Sequence, residues 1–109
     1  INAGKNDGYP NAFYTNMLSF IDSISAVIGG DIYIKNQYPT ILPGLFGEQM
    51  TQKALMCSRL ASEKKLKLID SFSNFISTPG WQTLLESDGV HATQAGCLVD
   101  LKSVLSAIV

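Results

Sequence analysis

The amino-acid sequence predicts an α/β protein in which a parallel β-sheet is covered by helices on both faces. Short apolar and β-branched segments alternate with longer segments of helical periodicity. Such alternation is typical of right-handed βαβ crossovers, whose sheets are buried on both sides. Hydrophobic residues make up 46% of the chain and charged residues only 16%, a composition too apolar for disorder. With 109 residues, the chain forms one domain at most.

The first half of the chain contains a strand end, a helix and a complete strand, in that order. Residues 1–3 have the character of the end of a buried strand, and residues 4–10 form a loop rich in turn-forming residues. Apolar residues recur at helical spacing over residues 11–28, after which two glycines end the predicted helix. Residues 31–38 are β-branched and aromatic and predict a strand that a proline closes. The expected core face of the helix over residues 11–28 comprises Phe13, Met17, Phe20, Ile21, Ile24, Val27 and Ile28.

The second half adds two helices, a strand and a long loop. An unusually apolar loop covers residues 39–47, and residues 48–65 have the periodicity of a second helix. Residues 66–72 predict a second complete strand. We expect a long loop over residues 73–90 and a last helix over residues 92–109. The expected core faces are Leu55, Met56, Leu60 and Ala61 in the second helix, and Ala95, Leu98, Val99, Lys102, Leu105 and Val109 in the last.

The predicted sheet is small for a fold of this kind. It contains two complete strands and the end of a third, whereas about five strands are usual in a layered sheet. The first residues also read as the end of a strand rather than as the start of a chain. We therefore expect further strands on the N-terminal side of Ile1. Because a targeting signal would lie in that segment, the sequence does not indicate the cellular compartment.

Charge and hydropathy exclude several classes of function. Eight basic and nine acidic residues are spread along the chain and give a net charge of −1, which predicts no nucleic-acid partner and no anionic membrane surface. The cationic cluster Lys64, Lys65 and Lys67 is expected to be the solvated end of a helix. No apolar run approaches the roughly 20 residues that a membrane-spanning helix needs.

The two cysteines do not form a metal-binding motif. Cys57 and Cys97 are far apart in the sequence, and neither has a histidine at metal-ligand spacing. Nothing in the sequence indicates a nucleotide or haem site either, so we expect neither a metal nor another cofactor. Because cysteine is commonly buried as a small hydrophobic residue, two free, buried thiols are expected, with a single disulfide as the alternative.

An acid–histidine motif lies on the loop before the last predicted helix. Asp88 precedes His91, the single histidine of the chain, by three residues. From this position a carboxylate can accept the Nδ1–H of the imidazole and leave Nε2 free to take a proton from a nucleophile. Taken alone, such a motif is more often a helix cap or a surface histidine than a catalytic pair.

A second motif directly follows the first predicted strand end. Gly4 allows the chain to turn sharply, and the side-chain amide of Asn6 could donate to an oxyanion. Asp7 could hold the loop by accepting backbone N–H groups. Taken alone, an Asn-Asp-Gly segment is more often a simple turn. In a parallel sheet both motifs would lie beyond the carboxyl ends of the strands, where α/β proteins bind their ligands.

Together, the two motifs resemble the third and fifth conserved blocks of the SGNH (GDSL-type) hydrolases. These blocks are G-x-N-D after a strand and D-G-x-H before a helix, and here a glycine follows five residues after the histidine. The intervening order of helices and strands matches the family along the whole chain. The resemblance implies a three-layer α/β/α fold with a parallel, flavodoxin-like sheet of order 2-1-3-4-5. The 109 residues would be the C-terminal portion of that single domain. Further matching residues are Tyr38-Pro39-Thr40 after one strand and Leu68-Ile69-Asp70 in the next.

The resemblance also implies a role for each motif residue. His91 would be the general base, Asp88 its orienting acid and Asn6 an oxyanion-hole donor. Gly4 and Asp7 would have structural roles in their loop.

The chain departs from the family at two points. The family commonly has proline after the histidine, and this chain has Ala92. More importantly, the Gly-Asp-Ser block with the nucleophilic serine is absent, as is the later glycine that supplies another oxyanion N–H. The predicted helices contain Ser19, Ser23, Ser25, Ser58 and Ser62, which makes these serines unsuitable as nucleophiles.

The resemblance thus implies an ester hydrolase whose serine comes from a complementary N-terminal segment. The 109-residue chain alone is expected to be inactive. Family members act on acetylated carbohydrates, lipids and thioesters, and we expect small O-acyl groups on a saccharide or other small-molecule ester. The alternative is a non-catalytic binding or structural module that keeps the hydrolase scaffold, because a fold alone does not confer function.

Two aromatic residues and one loop are further candidates for substrate contact. Tyr9 and Trp81 flank the motif loops and could stack on a sugar ring, or they could pack into the domain. The apolar residues 41–46 could line an acyl pocket or cover the sheet.

Overall fold

The computed structural model describes residues 10–41 and 45–108. Tyr9 and the motif of Gly4, Asn6 and Asp7 therefore lie outside the described residues, as does the predicted strand end at residues 1–3. The described elements are α1 (Pro10–Ser25), β1 (Tyr33–Lys35), α2 (Leu45–Glu63), β2 (Lys67–Ile69), α3 (Ser71–Ile76), a 3-10 helix (Trp81–Leu84) and α4 (Gln94–Ile108).

The two described strands pair in parallel, and α2 is the crossover between them. Tyr33 lies opposite Lys67 and Lys35 opposite Ile69 in the register. The predicted class, a parallel α/β fold, is thereby confirmed. Each strand spans three residues, which is shorter than predicted because only these residues are paired.

Adjacent residues of β1 show that helices cover both faces of the sheet. Ile34 is fully buried in the core formed with α1 and α2. Its neighbour Lys35 is also buried, and its Nζ lies 3.0 Å from Oδ1 of Asp100 on α4. Successive side chains of a strand point to opposite faces. Consequently α1 and α2 lie on one face of the sheet and α4 on the other, in three layers.

The main core lies between α1, α2 and the sheet. Burying each large apolar side chain contributes about 1.5–3 kcal/mol to stability, so this cluster dominates the energetics of the described part. Its buried members are Phe13, Met17, Ile21, Ile34, Cys57, Leu60 and Ala61.

The predicted core faces of α1 and α2 were partly wrong. Phe20 is half exposed, and Val27 and Ile28 lie beyond the end of α1, where the Ile24 carbonyl accepts their backbone N–H groups. In α2, Leu55 is exposed to 66%. The helix begins at Leu45 rather than at residue 48, and Met50, Ala54, Cys57, Leu60 and Ala61 are buried apolar residues in it. Apolar spacing predicts that a helix has an apolar face. Where apolar residues occur on several sides of a helix, spacing alone does not decide which of them face the core.

The predicted core face of α4 was also wrong for most of its described residues, since of these only Val99 is partly buried. Val109 lies outside the described residues. The face towards the protein carries the small buried residues Gly96 and Ser103, and Ser103 accepts a hydrogen bond from the Asn74 amide of α3 at 3.0 Å. Small residues let α4 approach its neighbours closely, and Gly96 leaves no space for a Cβ atom beside the Leu84 carbonyl. The outward face is an apolar row, which we call the α4 stripe: Leu98, Leu101, Leu105 and Ile108, each about half exposed.

The predicted long loop over residues 73–90 contains regular structure. α3 covers Ser71–Ile76 and thus extends into the predicted loop, and a 3-10 helix covers Trp81–Leu84. Asp70 caps α3 by accepting the backbone N–H of Ser73 at 3.0 Å. An aspartate is a preferred residue at the N-cap of a helix, but the short helix that follows falls below the length at which periodicity can be recognised.

The thiols of the two cysteines are free, but only one of them is buried. Cys57 lies in the core, whereas Cys97 on α4 is exposed. The expectation of two buried thiols was therefore wrong for Cys97, because α4 turns that side towards solvent. A membrane-crossing helix is absent from the described part of the chain, where each helix is too short or too polar for that role.

Candidate active site

The loop that carries Asp88 and His91 is closed at its base by backbone pairing. Leu85 and Ala92 form an isolated antiparallel bridge, and the N–H of Glu86 donates to the His91 carbonyl at 2.7 Å. Within the loop, the N–H of Gly89 donates to the Glu86 carbonyl at 2.9 Å. The six residues 86–91 are thus held in a compact turn that carries the motif.

Asp88 contacts both the side chain and the backbone of His91. Its Oδ2 lies 2.6 Å from Nδ1 of the imidazole. Its Oδ1 accepts the backbone N–H groups of Val90 at 2.9 Å and of His91 at 3.0 Å. The hydrogen bond from His91 holds the pKa of the Asp88 carboxyl well below its usual range, and the two backbone N–H groups lower it further. Asp88 therefore remains ionised, and its charge favours the tautomer with a proton on Nδ1.

The imidazole of His91 is open to its surroundings. Its side chain is 76% exposed, and that of Asp88 is 49% exposed. With Nδ1 directed at Asp88, Nε2 is the ring nitrogen left to face a reactant. No hydrogen bond among the described residues joins a serine to His91. In the described part of the chain, the Asp88–His91 pair is thus not joined to any serine.

Gly89 is constrained both by its backbone conformation and by its contact with Ile41. Its φ of +71° lies in the left-handed region, which other residues adopt at a cost. A Cβ atom at this position would lie 2.7 Å from Cγ1 of Ile41. The N–H of Ile41 also donates to the Gly89 carbonyl at 3.0 Å. The connection after β1 therefore packs directly on the motif loop.

The start of α4 fixes the other end of the loop. Thr93 caps the helix, since its Oγ1 accepts the N–H of Gly96 at 3.1 Å. The N–H and hydroxyl of Thr93 both donate to the Leu84 carbonyl, at 2.9 and 3.1 Å. The helix cap thus ties His91, two residues earlier, to the end of the 3-10 helix.

Asn36 and Asp70 join the carboxyl ends of the two strands. The Asn36 amide is 1% exposed and donates to Oδ1 of Asp70 at 2.8 Å. Its oxygen accepts the N–H of Phe72 at 2.9 Å. Partial burial raises the pKa of Asp70, but the hydrogen bonds from Asn36 and Ser73 lower it more, so that the net shift is downward. Sequence reasoning did not single out this pair, although both residues directly follow strands.

Of the two aromatic residues that are candidates for substrate contact, Trp81 lies within the described residues and Tyr9 does not. It begins the 3-10 helix after Gly80, whose φ of +68° allows the turn, and is partly buried. The carbonyl of Leu84, at the end of the same helix, binds Thr93. Trp81 is therefore connected to the motif loop through one short helix, and its contact with a substrate stays a prediction. Residues 42–44 of the predicted apolar loop lie outside the described residues, and Ile41 is half exposed.

The described residues do not form a metal centre. Among them, histidine, cysteine, aspartate and glutamate side chains nowhere gather into a group of three or more that could hold an ion.

The parallel strands, the helices on both faces and the histidine loop before the last helix define an α/β protein with the fold of the SGNH-type esterases, as the sequence resemblance predicts. Solved esterase structures match it closely. The esterase domain of the ORF1 protein from the zebrafish ZfL2-1 retrotransposon has a TM-score of 0.75 and 17% identity, over 89% of this chain and 57% of that chain. The lipase/acylhydrolase from Enterococcus faecalis has a TM-score of 0.76 and 18% identity, over 98% and 57%. A catalytic mutant of Axe2, an acetylxylan esterase from Geobacillus stearothermophilus, has a TM-score of 0.77 and 16% identity, over 92% and 47%.

The chain spans about half the length of the solved structures that it matches. At identities of 16–18%, these matches establish a shared fold and nothing finer. No family model matches the sequence, and no curated protein does.

Proposed function

We propose that this chain is the C-terminal portion of a serine esterase, in which His91 is the general base and Asp88 orients it. The single observation that carries the proposal is the distance of 2.6 Å between Asp88 Oδ2 and His91 Nδ1, on an exposed loop at the start of α4. The fold shared with solved esterases supports it. The nucleophilic serine would be supplied by a segment outside these 109 residues.

The proposed reaction proceeds through an acyl-enzyme. His91 Nε2 takes the proton of the serine hydroxyl as its oxygen attacks the ester carbonyl, and Asp88 stabilises the imidazolium that forms. The tetrahedral intermediate collapses when His91 returns this proton to the leaving alcohol. Water then attacks the acyl-enzyme in the same way, which releases the acid and restores the serine.

Asn6 is the proposed donor to the oxyanion of the tetrahedral intermediate. The assignment rests on the Gly4-Lys5-Asn6-Asp7 motif and its resemblance to the family block. Removing one such donor costs roughly 3 kcal/mol of transition-state stabilisation in comparable sites. Gly4 and Asp7 would shape the loop that presents this amide.

Small O-acyl groups on saccharides are the proposed substrates. One of the matched structures is described as an acetylxylan esterase, which is consistent with this class. Trp81, and Tyr9 on the loop of the oxyanion motif, would supply aromatic faces on which a sugar ring stacks. No metal or other cofactor has a step in this mechanism.

A serine-directed probe tests the proposal. A longer polypeptide of the same protein that includes a Gly-Asp-Ser segment should be labelled by a fluorophosphonate and should hydrolyse p-nitrophenyl acetate. In that polypeptide His91→Ala should lower turnover by about three or more orders of magnitude. The 109-residue chain alone should be neither labelled nor active. Stoichiometric labelling of a serine within the 109 residues would show that the nucleophile assignment is wrong.

A non-catalytic module is the second candidate, and one observation favours it. None of the serines in the described residues is hydrogen-bonded to His91, so the described part has no nucleophile of its own. If the longer polypeptide binds an acetylated oligosaccharide but is neither labelled nor active, the protein is a non-catalytic binding module.

A further inference from the structure

Tyr38 connects the segment after β1 to the loop that carries His91. Its hydroxyl oxygen accepts the backbone N–H of Ala92 at 3.2 Å. Ala92 directly follows His91, so this hydrogen bond fixes the backbone on the C-terminal side of the histidine.

The same segment also holds the N-terminal side of the histidine. The N–H of Ile41, three residues after Tyr38, donates to the carbonyl of Gly89 at 3.0 Å. His91 therefore lies between two backbone positions, Gly89 and Ala92, that are both bound by residues 38–41.

The ring of Tyr38 is itself held in place. It stacks on the fully buried ring of Phe75, with centroids 5.0 Å apart and an angle of 20° between the planes. Burial raises the pKa of the Tyr38 hydroxyl, and the hydrogen bond from Ala92 lowers it less than burial raises it. The hydroxyl is consequently neutral near physiological pH and can accept the amide proton through a lone pair.

The exposure of His91 makes these backbone contacts important. Because its side chain is 76% exposed, packing restrains the imidazole only weakly. The direction of Nε2 then depends on the Asp88 hydrogen bond and on the backbone that carries both residues. A displacement of about 1 Å at a catalytic group can cost roughly a hundredfold in rate.

We propose that Tyr38 is a positioning residue for His91, which orients the imidazole by binding the amide of Ala92. The inference rests on the proposed function, in which Nε2 must come within about 2.6–3.2 Å of a serine hydroxyl. Tyr38 touches neither substrate nor nucleophile in this role and acts only through the loop backbone.

The first test uses the 109-residue chain and needs no activity. Tyr38→Phe removes the hydroxyl but keeps the ring that stacks on Phe75. Amide exchange at Ala92 should become about two- to tenfold faster, the effect of losing one ordinary hydrogen bond. Because His91 is the single histidine, its ring-nitrogen NMR signals can be assigned directly, and the population with the proton on Nδ1 should fall. Unchanged exchange at Ala92 together with an unchanged tautomer would overturn the proposal.

Tyr14→Phe is the matched control. Tyr14 also loses a hydroxyl hydrogen bond, in this case to Glu63 on the surface between α1 and α2. It should leave both the exchange of Ala92 and the His91 tautomer as in the wild type. A change as large as that of Tyr38→Phe would mean that the effect is a general loss of stability, which contradicts a positioning role.

The second test measures turnover in the longer, serine-bearing polypeptide. Tyr38→Phe should lower kcat about tenfold or more while KM stays within roughly twofold, because binding does not depend on the direction of Nε2. Wild-type kcat in this variant would overturn the proposal. If instead the wild-type polypeptide is inactive, or His91→Ala is fully active, the proposed function has failed. The Ala92 exchange and His91 tautomer measurements then decide the positioning role alone.

Discussion

Asp88 binds His91 through both of its carboxylate oxygens, one directed at the ring and the other at the backbone. Oδ2 lies 2.6 Å from Nδ1, and Oδ1 accepts the His91 N–H at 3.0 Å. The same carboxylate therefore fixes the conformation of the loop and the orientation of the imidazole. A substitution at Asp88 should affect the structure of the loop as well as the proposed catalysis.

Asp88→Asn should remove both the preferred tautomer of His91 and the charge that stabilises its protonated form. In the serine-bearing polypeptide it should lower kcat by about three orders of magnitude, because a neutral amide no longer favours the Nδ1–H tautomer or stabilises the imidazolium. Asp31→Asn is the control, since Asp31 pairs with Lys67 at the other end of the strands. Steady-state kinetics of both variants should show the loss only for Asp88. Equal activity of the two variants would remove Asp88 from the mechanism.

The lowered pKa of Asp88 predicts a pH dependence of stability. Because the folded-state pKa lies below that of the unfolded chain, the carboxylate stabilises the fold above about pH 4. This contribution is lost as the pH falls towards the folded-state pKa. The free energy of unfolding of the 109-residue chain, from urea titrations, should decrease more steeply between about pH 5 and pH 2 than that of Asp88→Asn. Parallel curves would show that the hydrogen bonds of Asp88 do not contribute to stability.

Asn36→Ala should destabilise the ends of both strands. It leaves the Phe72 N–H without its acceptor and removes the donor to the partly buried Asp70. We expect the free energy of unfolding to fall by about 2 kcal/mol. Asn16→Ala, at an exposed position of α1, should change it by less than about 0.5 kcal/mol. Urea unfolding of the two variants measures the difference, and equal values would mean that the Asn36 hydrogen bonds are replaced by water.

Gly89→Ala should be destabilising for two separable reasons. The φ of +71° costs roughly 1–2 kcal/mol for a residue with a Cβ atom, and the new atom would lie 2.7 Å from Ile41. The melting temperature should fall by several degrees. Adding Ile41→Ala to Gly89→Ala should relieve the contact, so that the two effects are not additive. Gly30→Ala is the control, because no atom lies within 4 Å of a Cβ atom there; an equal loss for both glycines would contradict the explanation.

The α4 stripe predicts concentration-dependent self-association of the 109-residue chain. Four half-exposed aliphatic side chains in one row form a patch of the kind that promotes association. Leu101→Glu should reduce the average mass measured by light scattering. Leu55→Glu, at an exposed position of α2 on the other face of the sheet, should not. Association that persists in Leu101→Glu would exclude the stripe as its cause.

The order of helices and strands was accessible from the sequence because it depends on local periodicity. The segments around α1, β1, α2, β2 and α4 were all predicted, with ends that differ by a few residues. α3 and the 3-10 helix were missed because each is too short to show a period. Asp88 and His91 were found because they are three residues apart, so that the chain itself keeps their side chains close.

Contacts between distant segments were decided only by the tertiary structure. Tyr38 and Ala92 are 54 residues apart, and no spacing in the sequence connects them. The orientation of α4 is a further case: Leu98 and Leu105 were predicted on its buried face but are half exposed, because Gly96 and Ser103 allow the closer approach to α3 and the sheet. The sequence by itself determined the α/β class and the acid–histidine pair, since both depend on residues near one another along the chain. Which helix face is buried, and which residue holds the histidine loop, depended on how the layers pack, because burial is a property of the assembled surfaces and not of any single segment.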